Sequence, residues 1–132
     1  MTYLDSNFFV FALSDQTNKG QKAREIQKDI VESGLVAFTS SLALDEVMWV
    51  LIKNKKEHLI RKAIEDIYAM PNLEVREVSS LIPLHALDIM EKYNLKPRDA
   101  FHVAILKELQ LNSIVSDDSD FDKVKGLKRI IL

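Results

Sequence analysis

Short apolar runs at residues 2–5, 36–39, 73–75, 112–116 and 127–131 alternate along this chain with longer segments whose apolar residues recur at helical spacing. That alternation constrains the fold more than any other feature. Strands this short and apolar must be covered on both faces, and the helices between all but the last pair supply the crossovers that parallel strands need. The pattern predicts an α/β protein with three layers, a central parallel sheet between helices. Helices are predicted at about 8–13, 18–32, 41–52, 57–69, 80–93 and 97–109. Ala23, Ile26 and Ile30 mark the inward face of the second, and Leu59, Ala63, Ile64 and Ile67 that of the fourth. Leu81, Leu84, Leu87, Ile89 and Met90 supply the apolar residues of the fifth. Gly34, Pro71-Asn72 and Pro97 punctuate these segments where helices should stop or start.

A chain of 132 residues is expected to form one domain over 1–132. It buries roughly two-thirds of its unfolded surface, so it needs neither disulfide nor structural zinc. Cysteine is absent and the histidines, His58, His85 and His102, are scattered, which excludes thiolate chemistry. Met1 leads directly into Thr2-Tyr3-Leu4-Asp5 without a basic leader, and no apolar run approaches the roughly 18 residues of a membrane span. A soluble, cytoplasmic protein with no membrane contact is expected.

Four carboxylates stand where these elements meet. Asp5 follows the first strand and Asp118 the fourth, in Ser116-Asp117-Asp118-Ser119-Asp120. Ligands of open parallel sheets gather beyond the carboxyl ends of the strands. Glu46 lies one or two turns into the helix after the second strand, and Asp99 opens the helix behind Pro97. All four are embedded in apolar stretches, and carboxylates are rarely buried alone. A fold that gathers them calls for a divalent cation, which with water is the equipment for hydrolysing a phosphodiester. Taken singly, each also has an ordinary explanation, as helix cap, dipole partner, solvated residue or acidic turn. The net charge of −2 decides little, because setting the four aside leaves 16 acids against 18 bases. His102, one turn after Asp99, is read as structural, packing beside Phe101 or bonding to backbone.

Tyr3-Leu4-Asp5-Ser6-Asn7, Leu44-Asp45-Glu46-Val47, Pro97-Arg98-Asp99-Ala100-Phe101-His102-Val103-Ala104 and Val115-Ser116-Asp117-Asp118-Ser119-Asp120-Phe121 resemble, in order, the four signature blocks of PIN domains. The resemblance is nearest to the VapC-type toxins of toxin–antitoxin pairs and spans essentially the whole chain. It implies a five-stranded parallel sheet of order 3-2-1-4-5 and a metal-dependent endoribonuclease using Mg²⁺ or Mn²⁺. Asp5, Glu46, Asp99 and Asp118 would be the catalytic and metal-binding quartet, with Asn7, Ser116, Asp117 and Asp120 in support. Asp5 and Asp99 would be direct ligands, with Asp118 binding directly or through water. Glu46 would hold a second ion or orient and deprotonate the attacking water. Asp117 duplicates the acid at Asp118, and either could serve as ligand. Cleavage would leave a 5′-phosphate and a 3′-hydroxyl.

RNA phosphates would be held by Lys53, Lys55, Lys56, Arg61 and Lys62, by Arg98, or by Lys123, Lys125 and Lys128, although such runs also occur as plain solvated faces. The resemblance further implies homodimerisation and a small antitoxin laid across the active-site groove. Phe8, Phe9, Phe11 and Trp49 are read as core or dimer contacts, and Phe8, Phe11 and Trp49 as exposed candidates for either partner. Two other functions fit part of the pattern. A haloacid-dehalogenase-type phosphatase also begins with an Asp after strand one, but it needs a second Asp where Asn7 stands. A non-catalytic PIN-like module binding RNA or protein would not need the complete acidic set.

Overall fold

The computed structural model describes residues 1–132. Five parallel strands, β1 (Thr2–Leu4), β2 (Ala37–Ser40), β3 (Leu73–Arg76), β4 (Ser113–Ser116) and β5 (Lys128–Ile131), form one sheet in the order β3-β2-β1-β4-β5. Between them run α1 (Ser6–Ser14), α2 (Asn18–Ser33), α3 (Ser41–Lys53), α4 (Ile60–Ala69), α5 (Ile82–Tyr93) and α6 (Pro97–Glu108). The order reverses between β1 and β4, so a crevice opens beyond their carboxyl ends.

Neighbouring residues of β1 face opposite layers, as the pleat dictates. Tyr3, level with Ile114 of β4, enters a core with Ile82, Ala86 and Ile89 of α5 and Val103 and Leu106 of α6. Leu4, level with Val115, enters the other core with Phe8 and Phe9 of α1, Leu44, Val47 and Leu51 of α3, and Ala63 and Ile67 of α4. Each large side chain so buried stabilises the fold by about 1.5–3 kcal/mol, which fixes the two central strands from both sides. Helix starts follow local chemistry. The Thr17 hydroxyl accepts from the Lys19 amide at 3.4 Å to cap α2, and the Ser40 hydroxyl accepts from the Ala43 amide at 3.3 Å to cap α3. Gly34, at φ 73°, ends α2 in the left-handed region where a side chain is disfavoured.

The structure chooses one face that the sequence left open and corrects two expectations. Helix α5 turns Ile82, Ala86 and Ile89 inward and leaves Leu81, Leu84 and Leu87 exposed, because the stripe that meets α6 is spaced by four and three from Ile82. Phe8 lies in the core rather than on the surface, beside Phe9, which was read as a core or dimer contact, while Phe11 is partly buried and Trp49 is 57% exposed. The predicted helix over 57–69 begins as a 3-10 turn, Glu57–Leu59, before α4, and a further 3-10 turn, Ser119–Lys123, follows β4.

Candidate active site

Asp5 continues the β1 ladder, its amide donating to the Val115 carbonyl at 3.2 Å, and then caps α1. One carboxylate oxygen accepts from the Ser6 amide at 2.8 Å. The other accepts from the Ser116 hydroxyl at 2.7 Å and the Asn7 amide nitrogen at 3.3 Å. Asn7 also donates to Ser116 at 3.2 Å and accepts from the Asp117 amide at 3.2 Å. Asp5 is only 5% exposed, so these donors fix the orientation of a buried charge at the switch point. With its nitrogen committed to Asp5 and Ser116, Asn7 offers nothing resembling the second acid of a dehalogenase-type phosphatase.

Glu46, on the second turn of α3, accepts from Nε2 of His102, whose ring is 1% exposed. The same nitrogen lies 3.7 Å from an Asp5 oxygen, and Nδ1 meets the Tyr3 hydroxyl at 2.8 Å. His102 therefore belongs to the acidic pocket through side-chain bonds, which corrects its reading as a residue packed beside Phe101 or bonded to backbone. Burial alone would lower its pKa, but the Glu46 hydrogen bond and the charges of Asp5, Glu46 and Asp99 outweigh that and raise it. Burial pushes the Tyr3 hydroxyl far up, the Ser40 bond opposes this, and the charges of Asp5 and Glu46 reinforce it.

Asp99, in the first turn of α6, lies with Asp118 and Asp120, each offering a carboxylate oxygen within 4.8 Å of the others. Burial, followed by the charges of Asp118 and Asp5, raises its pKa to about 6, with Asp120 adding to the shift and His102 opposing it. Asp118 caps the Ser119–Lys123 turn by accepting from the Asp120 amide at 2.9 Å. The four acids thus converge as two adjoining groups of three, Asp5-Glu46-His102 and Asp99-Asp118-Asp120. Hard carboxylate oxygens with unrelieved mutual repulsion at Asp99 are the donor set that a hard divalent cation fits. His102 is committed as a donor to Glu46, so the carboxylates are the better ligands.

Asp117 turns away and pairs with Lys19 of α2 at 2.8 Å, leaving Asp118 as the acid beside Asp99. Asp120 lies 3.4 Å from Lys123. Arg98 adjoins Asp99 and, with Leu42, Lys96, Pro97 and Phe101, lines an open depression of about 390 Å³. Lys53 lies about 10 Å further along α3 than Glu46, from seven residues of helical rise. Lys55 and Lys56 follow beyond the helix end, while Arg61 and Lys62 form exposed pairs with Glu65 and Asp66. Arg98 is therefore the residue of the proposed RNA-binding set that adjoins the carboxylates in sequence. Two pocket residues, Tyr3 and His102, had legible but unused signals. Tyr3 shares a strand face with Asp5, and His102 shares a helix face with Asp99.

A parallel sheet with carboxylates collected at its switch point defines a class of acidic-site α/β proteins. The model of the family described as PIN domain matches residues 2–127, and the chain belongs to that family. Ribonuclease VapC13 of Mycobacterium tuberculosis is 24% identical over 131 residues, covering 98% of this chain and 99% of that protein. Among solved structures, the M. tuberculosis "Sarcin-Ricin loop cleaving toxin" VapC20 matches with a TM-score of 0.77 at 15% identity, covering 92% of this chain and 93% of that one. A toxin–antitoxin complex from Klebsiella pneumoniae matches with a TM-score of 0.70 at 19% identity, covering 96% of this chain and 95% of that one. No helix is long and apolar enough to cross a membrane.

Proposed function

We propose that this chain, acting as one domain, is a metal-dependent endoribonuclease and the toxin component of a VapBC-like type II toxin–antitoxin pair. The observation that carries this reading is the convergence of Asp5, Glu46, Asp99 and Asp118, from four distant segments, on the crevice between β1 and β4. The ribonuclease and toxin names of the similar proteins support it.

Asp5, Asp99 and Asp118 would hold Mg²⁺ or Mn²⁺. When bound, such an ion lowers the pKa of water and offsets negative charge in the phosphoryl transition state. Ser116 and Asn7 hold the Asp5 carboxylate in place for that role, and Asp120 adds a carboxylate beside Asp99 and Asp118. Glu46 would accept the proton of the attacking water, which approaches in line with the P–O3′ bond; that bond breaks and the 3′-oxygen takes a proton from solvent, so the products carry a 5′-phosphate and a 3′-hydroxyl. Arg98, at the edge of the pocket, engages a substrate phosphate. No nucleophilic side chain is needed.

The antitoxin would lie across the active-site groove beyond β1 and β4 and neutralise it. Trp49 and Ile52 on α3, with Leu84 and Leu87 on α5, supply exposed apolar surface for a homodimer. The deciding experiment follows cleavage of structured and single-stranded RNA with Mg²⁺ or Mn²⁺ by wild type, Asp5→Asn and Asp99→Asn. Loss of cleavage in both variants and in excess EDTA is expected. Equal cleavage by all three proteins would overturn the site, and cleavage in EDTA would overturn the metal.

A further inference from the structure

A chain of hydrogen bonds runs through the apolar layer between the sheet and α6 and ends on Glu46. The Ser40 hydroxyl accepts from the Ala43 amide at 3.3 Å and meets the Tyr3 hydroxyl at 2.7 Å. That hydroxyl meets Nδ1 of His102 at 2.8 Å, and Nε2 of His102 bonds Glu46. Ser40 and Tyr3 are fully buried, and His102 nearly so. No buried side-chain nitrogen or oxygen is left without a partner.

The direction of the chain follows from its end. An ionised Glu46 only accepts, so Nε2 carries the hydrogen. On a neutral ring Nδ1 is then an acceptor, which makes the Tyr3 hydroxyl its donor and the Ser40 hydroxyl the donor to Tyr3. Every link is satisfied in that one sense, starting from the Ala43 amide. With a proton added to the ring, Nδ1–H donates to the Tyr3 hydroxyl, which turns to donate to Ser40, and Nε2–H stays on Glu46. The delivery of a hydrogen bond to Glu46 is therefore independent of the charge on the ring.

We propose that Ser40, Tyr3 and His102 form a relay whose task is to hold the Glu46 carboxylate in its working orientation, with His102 as a positioning residue for phosphodiester cleavage. This rests on the reading of the carboxylate pocket as the cleavage site. The geometry favours it over a purely structural role. Ser40 caps the helix that carries Glu46, so the relay leaves α3 at its first turn, crosses β1 and α6, and returns to α3 at its second turn. Both ends of the loop grip one helix. Fixing a side chain this way removes rotamers that a glutamate projecting into a pocket would otherwise sample.

The test uses Tyr3→Phe, which keeps the buried ring and removes only the hydroxyl, together with His102→Gln and His102→Leu. Tyr68→Phe, on the exposed face of α4, is the control. Tyr3→Phe should lower kcat for RNA cleavage by about 10- to 100-fold, the range for partners that orient a site residue, with KM unchanged. Glutamine can both donate to Glu46 and accept from Tyr3, so His102→Gln should retain more activity than His102→Leu. In a Glu46→Ala background Tyr3→Phe should cause no further loss, because the relay then has nothing to position.

A second readout needs neither metal nor activity. In metal-free protein, the ring-nitrogen signals of His102 and the carboxylate carbon signal of Glu46 should both move on Tyr3→Phe and stay put on Tyr68→Phe. Full kcat in Tyr3→Phe, the same fold-loss with and without Glu46, or unmoved resonances would each overturn the relay. Undiminished cleavage by Asp5→Asn would instead overturn the proposed function, and the resonances would then decide the relay alone.

Discussion

The two halves of the acidic pocket are built differently. Buried Asp5 and partly buried Glu46 are met by side-chain donors from other segments, Ser116, Asn7 and His102. Around Asp99, Asp118 and Asp120, half-buried carboxylates face one another, and the donor recorded to Asp118 is the amide of its own turn. The first half is rigid before any ligand arrives. In the second, burial first and then the charges of Asp118 and Asp5 raise the pKa of Asp99, and a cation would relieve the part due to repulsion. One half therefore fixes position, and the other would supply the electrostatic drive for binding a cation.

The sharpest break of this contrast is Asp5→Asn. It removes charge from the organised half and should reduce cleavage by more than ~100-fold, beyond the usual effect of an outer-shell change, at saturating Mn²⁺ in a single-turnover assay. Next in size is Ser116→Ala, which leaves the Asp5 oxygen short of a buried donor. Cleavage should fall by about 10-fold, and urea denaturation should show a loss of about 1–3 kcal/mol.

Asp99 sharpens the other half. Its folded pKa of about 6 stands above the ordinary 3.8, so the folded chain holds that proton more tightly than the unfolded one. The resulting stabilisation is fully present below the ordinary carboxylate value and is lost as pH rises through about 6. The melting temperature of metal-free protein should fall by a few degrees, about 2–4 °C after allowance for partial exposure, across that window. Asp99→Asn should abolish that fall, and Mn²⁺ should raise the wild-type melting temperature more at pH 7.5 than at pH 5. The smallest effect belongs to Asp117→Asn, which removes an exposed pair with Lys19 that contributes about 0–1 kcal/mol. Cleavage should change severalfold at most, against a far larger loss in Asp118→Asn. The reverse ranking would exchange the two assignments.

Much of the fold could be read locally. The strands appear where short apolar runs predicted them, and Ser40, Gly34 and Pro97 mark helix boundaries because capping and φ preferences act within a few residues. The inward face of α5 could not be chosen from the sequence, because Leu81, Leu84 and Leu87 satisfy helical spacing as well as Ile82, Ala86 and Ile89 do. Only packing against α6 chose between the two stripes. In the pocket, the strand-end and helix-start contexts of Asp5, Glu46, Asp99 and Asp118 were legible, whereas the partners of His102 were not. Its bonds reach Tyr3 and Glu46, 99 and 56 residues away.

Sequence by itself determined the alternation of strands and helices and their capped ends, and it marked four acids near those ends as candidates for one crevice. Tertiary structure alone decided that these acids split into two groups, that Asp117 goes to Lys19 while Asp118 joins Asp99, and that a buried histidine holds Glu46. The physical reason is range. Propensity, capping and periodicity act within a turn or two of chain, but the partner of a buried charge is chosen by the crossovers that bring remote segments together.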